Sequence, residues 1–193
     1  GCVGSMVYPD SSLYGNHGRL INMDAATDWV WSPELGRWVL DFDGSNDYVV
    51  LPGSLGIIGA GDHTVMALFN LRSGYDKDII DNYNGTRGSV LLQVDGDLKL
   101  KAHAMLDAVV VARGTTTVSY NKWYHGCQRL QGTRLLAILD GVVDAVNNGW
   151  GSGAALAHSW MIGARYAEPP VRQFWNGQIG DVIAWTHALP LQH

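Results

Sequence analysis

At 193 residues the chain has room for one domain with a sizeable core and hardly for two. Apolar residues make up 47%, charged residues only 16%, and 24 glycines accompany 8 Trp and 8 Tyr. This profile excludes intrinsic disorder and a long helix or coiled coil, and it describes a turn-rich, all-β protein. A net charge of −5 without any run of Lys or Arg also excludes binding to a nucleic-acid backbone.

In chain order, the residues from Trp38 to Phe42 alternate, with Trp38, Leu40 and Phe42 on one face. Asp43 to Asn46 reads as a turn, Tyr48 to Leu51 as a second strand stopped by Pro52-Gly53, and Thr64 to Leu71 as a strand apolar on both faces. Two Asp-Gly pairs mark hairpins. Val90 to Val94 leads into Asp95-Gly96 and returns as Leu98 to Ala102; Leu135 to Leu139 leads into Asp140-Gly141 and returns through Val142-Val143. Trp123 to Leu130 and Gly177 to Trp185 supply further strands, and no stretch sustains an apolar period of 3.6. The longest uncharged stretch, Ala145 to Ala164, holds asparagines, serines and glycines, so no membrane span is expected. Short strands at this spacing predict one antiparallel sandwich or barrel, with residues 1–193 as a single domain.

Five blocks, read in order, carry a resemblance. They are Asp10-Ser11-Ser12-Leu13-Tyr14-Gly15-Asn16-His17-Gly18; Gly36 through Val49 with Asp43-Gly44 at its centre; Lys122-Trp123-Tyr124-His125; Leu139-Asp140-Gly141; and Ile162-Gly163-Ala164 followed by Phe174 through Trp185, with Ala188-Leu189-Pro190 closing. Together they resemble the laminin-G-like, concanavalin A-like lectin/glucanase jelly-roll domains, the group that includes pentraxins, over about residues 8–190. The resemblance implies an all-β antiparallel jelly-roll β-sandwich of extracellular, cell-surface or virion-surface location. The chain departs from the pattern at Leu68, where the family often has Trp; at Gly126-Cys127, where it has Val-Ala; and at Gly180, where it has an acidic residue. The first two read as core variation, and the third removes a carboxylate near the place where such domains often hold calcium.

Glycanases of this architecture carry a Glu-x-Asp-x-x-Glu strand, and none occurs here. Glu34 and Glu168 are the only glutamates, and the pairs Asp76/Asp78 and Asp95/Asp97 read as solvated loop charges. There is no Gly-x-Ser-x-Gly elbow, zinc spacing or dinucleotide fingerprint. His125 reads as a packed structural residue and Cys127 as a buried free thiol. No catalytic residue is therefore assigned, and the chain reads as a non-enzymatic recognition module for glycans. The alternatives are a structural, adhesion or virion-decoration domain working by protein–protein contact, oligomeric or not, and, less favoured, a glycoside hydrolase. Aromatic faces able to stack on sugar rings are expected at Trp29, Trp31, Tyr75, Tyr83 and Trp150, whereas Trp38, Trp123, Trp160, Trp175 and Trp185 are expected mostly in the core. Calcium, which takes six to eight loop oxygens, is the expected ion, with Asp10, Asn16 and Asp181 as ligands and Asp43 as a weaker fourth. The plain alternative is that Asp10 and Asn16 make Asx turns and Asp181 caps a loop.

Overall fold

A computed structural model describes residues 4–53, 55–57, 61–82, 89–105, 109–149, 159–165 and 170–191. Among them are strands and no helix: β1 (Val7–Tyr8), β2 (Gly18–Ile21), β3 (Trp29–Ser32), β4 (Arg37–Asp43), β5 (Tyr48–Leu51), β6 (His63–Leu71), β7 (Lys77–Asp81), β8 (Ser89–Val94), β9 (Lys99–Met105), β10 (Val109–Thr117), β11 (Trp123–Gln131), β12 (Arg134–Leu139), β13 (Val142–Asn147), β14 (Trp160–Ile162) and β15 (Asn176–Trp185). They pair antiparallel into an eight-stranded sheet, ordered β1-β2-β5-β14-β7-β8-β9-β10, and a seven-stranded sheet, ordered β13-β12-β11-β6-β15-β4-β3. The all-β antiparallel sandwich expected from the turn spacing is the observed architecture.

Alternation decides which side chains meet between the sheets. Leu40, Phe42, Val65 and Phe69 from one sheet pack against Val49, Val90, Leu92 and Trp160 from the other in a single core. Trp175 closes it edge-on to Phe69, with ring centroids 5.7 Å apart. Gly126 faces this core as expected, because a side chain there would meet Phe69 at 2.8 Å and Leu100 at 3.1 Å. Leu68 corrects the sequence reading: it lies on the opposite face of β6. A Cβ at Gly180 would approach it at 3.2 Å, so two departures from the family pattern are neighbours that make room for one another.

The two Asp-Gly hairpins fold differently. Asp140 and Gly141 both take positive φ, the two-residue turn whose twist matches the flanking strands. In the Asp95 turn the left-handed residue is Leu98, and the Asp95 carboxylate organises the loop by accepting the N–H groups of Asp97 and Lys99, each at 3.0 Å.

Each outer face of the sandwich has its own character. On the seven-stranded sheet, Cys127, Leu136 and Ile138 form a small apolar cluster with Met66 and Leu191. The last residues are tied down there, since Leu189 N–H donates to Thr64 Oγ1 at 3.0 Å and Arg129 Nε donates to the Leu189 carbonyl. Cys127 is a buried free thiol, as expected, with its pKa pushed up to about 12 by burial.

Candidate functional site

On the eight-stranded sheet the outer face is polar. Register sets Asp78 of β7 opposite Gln93 of β8, Gln93 opposite Lys101 of β9, and Lys101 opposite Arg113 of β10. Directly opposed residues project from the same side of a sheet with Cβ atoms about 5 Å apart, so the four side chains form one row. A neighbouring row runs Met161–Asp81–Leu91–His103–Val111. Asp78 and Asp81 would normally point to opposite faces. A bulge between Asp78 and Ile80 turns both Ile79 and Ile80 into the core and brings both carboxylates outward.

The rows are polar and deeply set. Asp78 and Asp81 are 0% exposed and Gln93 is 1% exposed. A buried carboxylate is tolerated only with a partner, and Asp78 has one: Arg165 donates from Nε to Oδ2 at 2.7 Å and from Nη2 to Oδ1 at 3.1 Å. Burial raises the Asp78 pKa, and the Arg165 charge opposes that rise. Arg113, at the other end of the row, pairs with both Asp95 and Asp97. Asp78 and Asp95 are thus buried and ion-paired rather than solvated loop charges, which corrects the sequence reading. His103 is held to a pKa of about 4 by burial and by the Lys101 and Arg165 charges, so its imidazole is neutral at pH 7. Its backbone is gripped from inside the sandwich, where Gln128 Oε1 accepts the His103 N–H at 3.2 Å and Gln128 Nε2 lies 3.3 Å from Nε2 of the buried His63.

The residues expected from the sequence lie elsewhere. Trp29 is buried, stacked on Tyr8 with centroids 6.0 Å apart and donating its Nε1–H to the Ser5 carbonyl, so it plugs the edge of the sandwich. Trp31 is 51% exposed and meets Trp38 edge-on at 5.8 Å across the β3–β4 hairpin. Trp38 is itself 45% exposed, a correction to its expected core position. Trp160 and Trp175 are buried, while Trp123 and Trp185 are half-buried. Tyr75 is exposed in the β6–β7 connection. Tyr83 and Trp150 lie outside the described residues.

Asp10, Asn16 and Asp181 line one open cavity of about 910 Å³, together with Tyr14, Trp185 and His187. The two carboxylates are already engaged. Asp10 accepts from Ser12 Oγ, Ser12 N–H and Asn16 N–H at 2.7–2.8 Å, which holds its carboxyl below the usual range. Asp181 pairs with Arg37. Asp43 accepts from Ser45 and Asn46 in its own turn, at the far end of β4 from Arg37, and is not among the residues that line this cavity. Among the described residues no three His, Cys, Asp or Glu side chains are grouped to hold a metal.

Sequence could not have singled out the charged rows, because only the β7–β8–β9–β10 register brings them together. A possible signal was the strict alternation of Lys99 and Lys101 with Leu100 and Ala102, which marks a strand with a charged outer face. Among the described residues no helix is long and apolar enough to cross a membrane.

The fold has known counterparts. Domain 4 of AbnA, an extracellular GH43 arabinanase from Geobacillus stearothermophilus, in complex with arabinotriose, superposes with a TM-score of 0.64 at 13% identity, over 90% of this chain and 84% of that one. A Ruminococcus gnavus sialidase CBM40 bound to α2,3-sialyllactose gives 0.58 at 10% identity, over 70% and 80%. The native heptameric SAP-like pentraxin from Limulus polyphemus gives 0.55 at 16% identity, over 74% and 69%. At these identities the likeness is one of fold, a jelly-roll sandwich. No curated protein matches the chain. The family model for the concanavalin A-like lectin/glucanases superfamily matches residues 43–193, well over half of the sequence, and the chain belongs to that superfamily.

Proposed function

We propose that the protein is a non-enzymatic recognition module that binds carbohydrate on the outer face of its eight-stranded sheet, at an extracellular, cell-surface or virion-surface location. The observation that carries this reading is the Asp78–Gln93–Lys101–Arg113 row, flanked by Asp81, His103 and Arg165. A sheet face covered only for stability would be apolar, as it is around Cys127 and Leu136. Burying charges instead is costly, and such clusters recur at functional sites. Carboxylate, amide, ammonium and guanidinium groups on rigid strands suit the in-plane donors and acceptors of sugar hydroxyls. Superfamily membership and the sugar-bound arabinanase domain and CBM40 among its structural counterparts support the same class of ligand.

A second reading has one specific observation in its favour. The β7 bulge turns two carboxylates, Asp78 and Asp81, to one face, and glycoside hydrolysis uses a carboxylate pair. Against it, Arg165 engages both oxygens of Asp78, leaving that group an acceptor rather than a proton donor.

The test is a glycan array on the purified domain, run with calcium and with chelator, comparing a Gln93→Met/Lys101→Met variant with a Trp31→Ala/Trp38→Ala variant. Loss of binding only in the first supports the reading. Loss only in the second moves the site to the exposed Trp pair, and a blank array in both conditions overturns carbohydrate binding in favour of a structural role. Release of reducing ends, abolished by Asp81→Asn, would establish the hydrolase.

A further inference from the structure

Within the polar rows, most ionic groups are already answered. Asp78 has Arg165, and Arg113 has Asp95 and Asp97. Two adjacent side chains are not. Gln93 is 1% exposed and its Oε1 is buried without a hydrogen-bond partner. Lys101, its cross-strand neighbour, is half-buried and makes neither a hydrogen bond nor a close ion pair among the described residues, although its charge favours the ionised form of Asp78. A buried amide oxygen left without a donor is destabilising, and native proteins keep few of them. An ammonium carries three donors and no acceptor, so it asks for an acceptor, best an anionic one.

Resting on the carbohydrate reading above, we propose that the row takes a carboxylated glycan unit, its carboxylate on the Lys101 ammonium and a neighbouring hydroxyl donating to Gln93 Oε1. The pairing supplies each unanswered group with its complement: the anion meets the unpaired cation, and the hydroxyl proton meets the orphan acceptor. A carboxylate on a sugar ring has two common chemical sources, a hexuronate within a polysaccharide and a sialate at a chain end. The strands present the same two groups to either.

Isothermal titration with trigalacturonate, 3′-sialyllactose and neutral lactose separates these cases. One or both acidic probes should bind at least about tenfold more tightly than lactose, and which of them binds identifies the source. Affinity for that probe should weaken as sodium chloride rises from about 50 to about 500 mM. Lys101→Met should cost about tenfold or more toward the acidic probe, a larger loss than toward lactose, while Lys101→Arg should keep affinity within a few-fold. Gln93→Met supplies a readout that a purely structural role would not give. Removing an unsatisfied buried amide should leave the thermal midpoint unchanged or raise it, while weakening the acidic probe several-fold. Equal affinity for lactose and the acidic probes, or a Lys101→Met variant that binds the acidic probe normally, overturns the carboxylate assignment with carbohydrate binding still standing. A drop in thermal midpoint for Gln93→Met overturns the role given to Gln93. Absence of binding to every glycan overturns both readings.

Discussion

The two outer faces of the sandwich each bury a cluster of side chains, and the two clusters have opposite chemistry. The seven-stranded sheet buries Cys127, Leu136 and Ile138 in a hydrophobic patch with Met66 and Leu191 packed against it. The eight-stranded sheet buries Asp78, Asp81 and Gln93. Apolar burial stabilises by itself, at roughly 25 cal/mol per Å² of surface removed from water. Burial of a carboxylate opposes folding unless a partner is held in good geometry. The first face is mostly apolar, with Arg129 buried against the Leu189 carbonyl and Gln131, while the second buries carboxylates, which is why the candidate site belongs there.

The contrast can be broken from either side. The largest effect is expected at Arg165. Arg165→Met leaves Asp78 charged and unpaired in a buried position, and urea unfolding should show a loss of about 3–5 kcal/mol. Adding Asp78→Leu should recover most of it, since an apolar pair of similar volume replaces the ions. On the opposite face Arg129→Met, which gives up hydrogen bonds to the Leu189 carbonyl and Gln131, should cost only about 1–2 kcal/mol. If the two arginine variants lose the same amount, the distinction between the faces fails.

Leu136→Ala comes next. Leu136 is fully buried in the apolar cluster, so truncation should cost about 3 kcal/mol through lost burial and the cavity left behind. A loss well under 1 kcal/mol would mean that Met66 and Leu191 do not seal that cluster.

A smaller effect is expected from protons. An unfolded imidazole binds its proton near about pH 6.5, whereas buried His103 does so only at about 4. Between these values the unfolded chain holds more protons, so His103 makes stability fall as pH drops, by at most about 1.4 kcal/mol per pH unit. Asp78 has the opposite sign, because burial raises its pKa and the folded state then holds the extra proton. The His103 contribution is therefore read as the difference between the wild type and His103→Gln. Unfolding curves for the two that keep a constant offset from pH 7 to 4 would contradict it.

The smallest perturbation is chemical. In a Cys2→Ser background, the Cys127 thiol, its pKa near 12, should ignore a disulfide reagent such as DTNB at pH 8 and react only on unfolding. Leu136→Ala should speed that reaction by opening the cluster. Prompt labelling of the native Cys2→Ser protein would show that the apolar face is open.

What the sequence determined by itself was the architecture. Alternating residues from Trp38 to Phe42, the Asp-Gly pairs and the five ordered family-like blocks are local signals, carried by pleat and turn chemistry, and they recovered β4, β5, β6, β8, β9, β11, β12, β13 and β15, the antiparallel sandwich and the superfamily, while β7 and β10 of the candidate site were not read as strands. Coverage was not local. Trp38 shares a face with Leu40 and Phe42 yet is 45% exposed, because alternation assigns a face and cannot say where the opposing sheet ends. Asp78 reads as a loop charge until a bulge, the β7–β8 register and an arginine 87 residues away enclose it. Gln93 and Lys101 become a pair only across the β8–β9 ladder. Tertiary structure alone decided which polar groups were taken out of water and which kept no partner, because burial depends on every layer of the sandwich at once while propensity depends on neighbours in the chain.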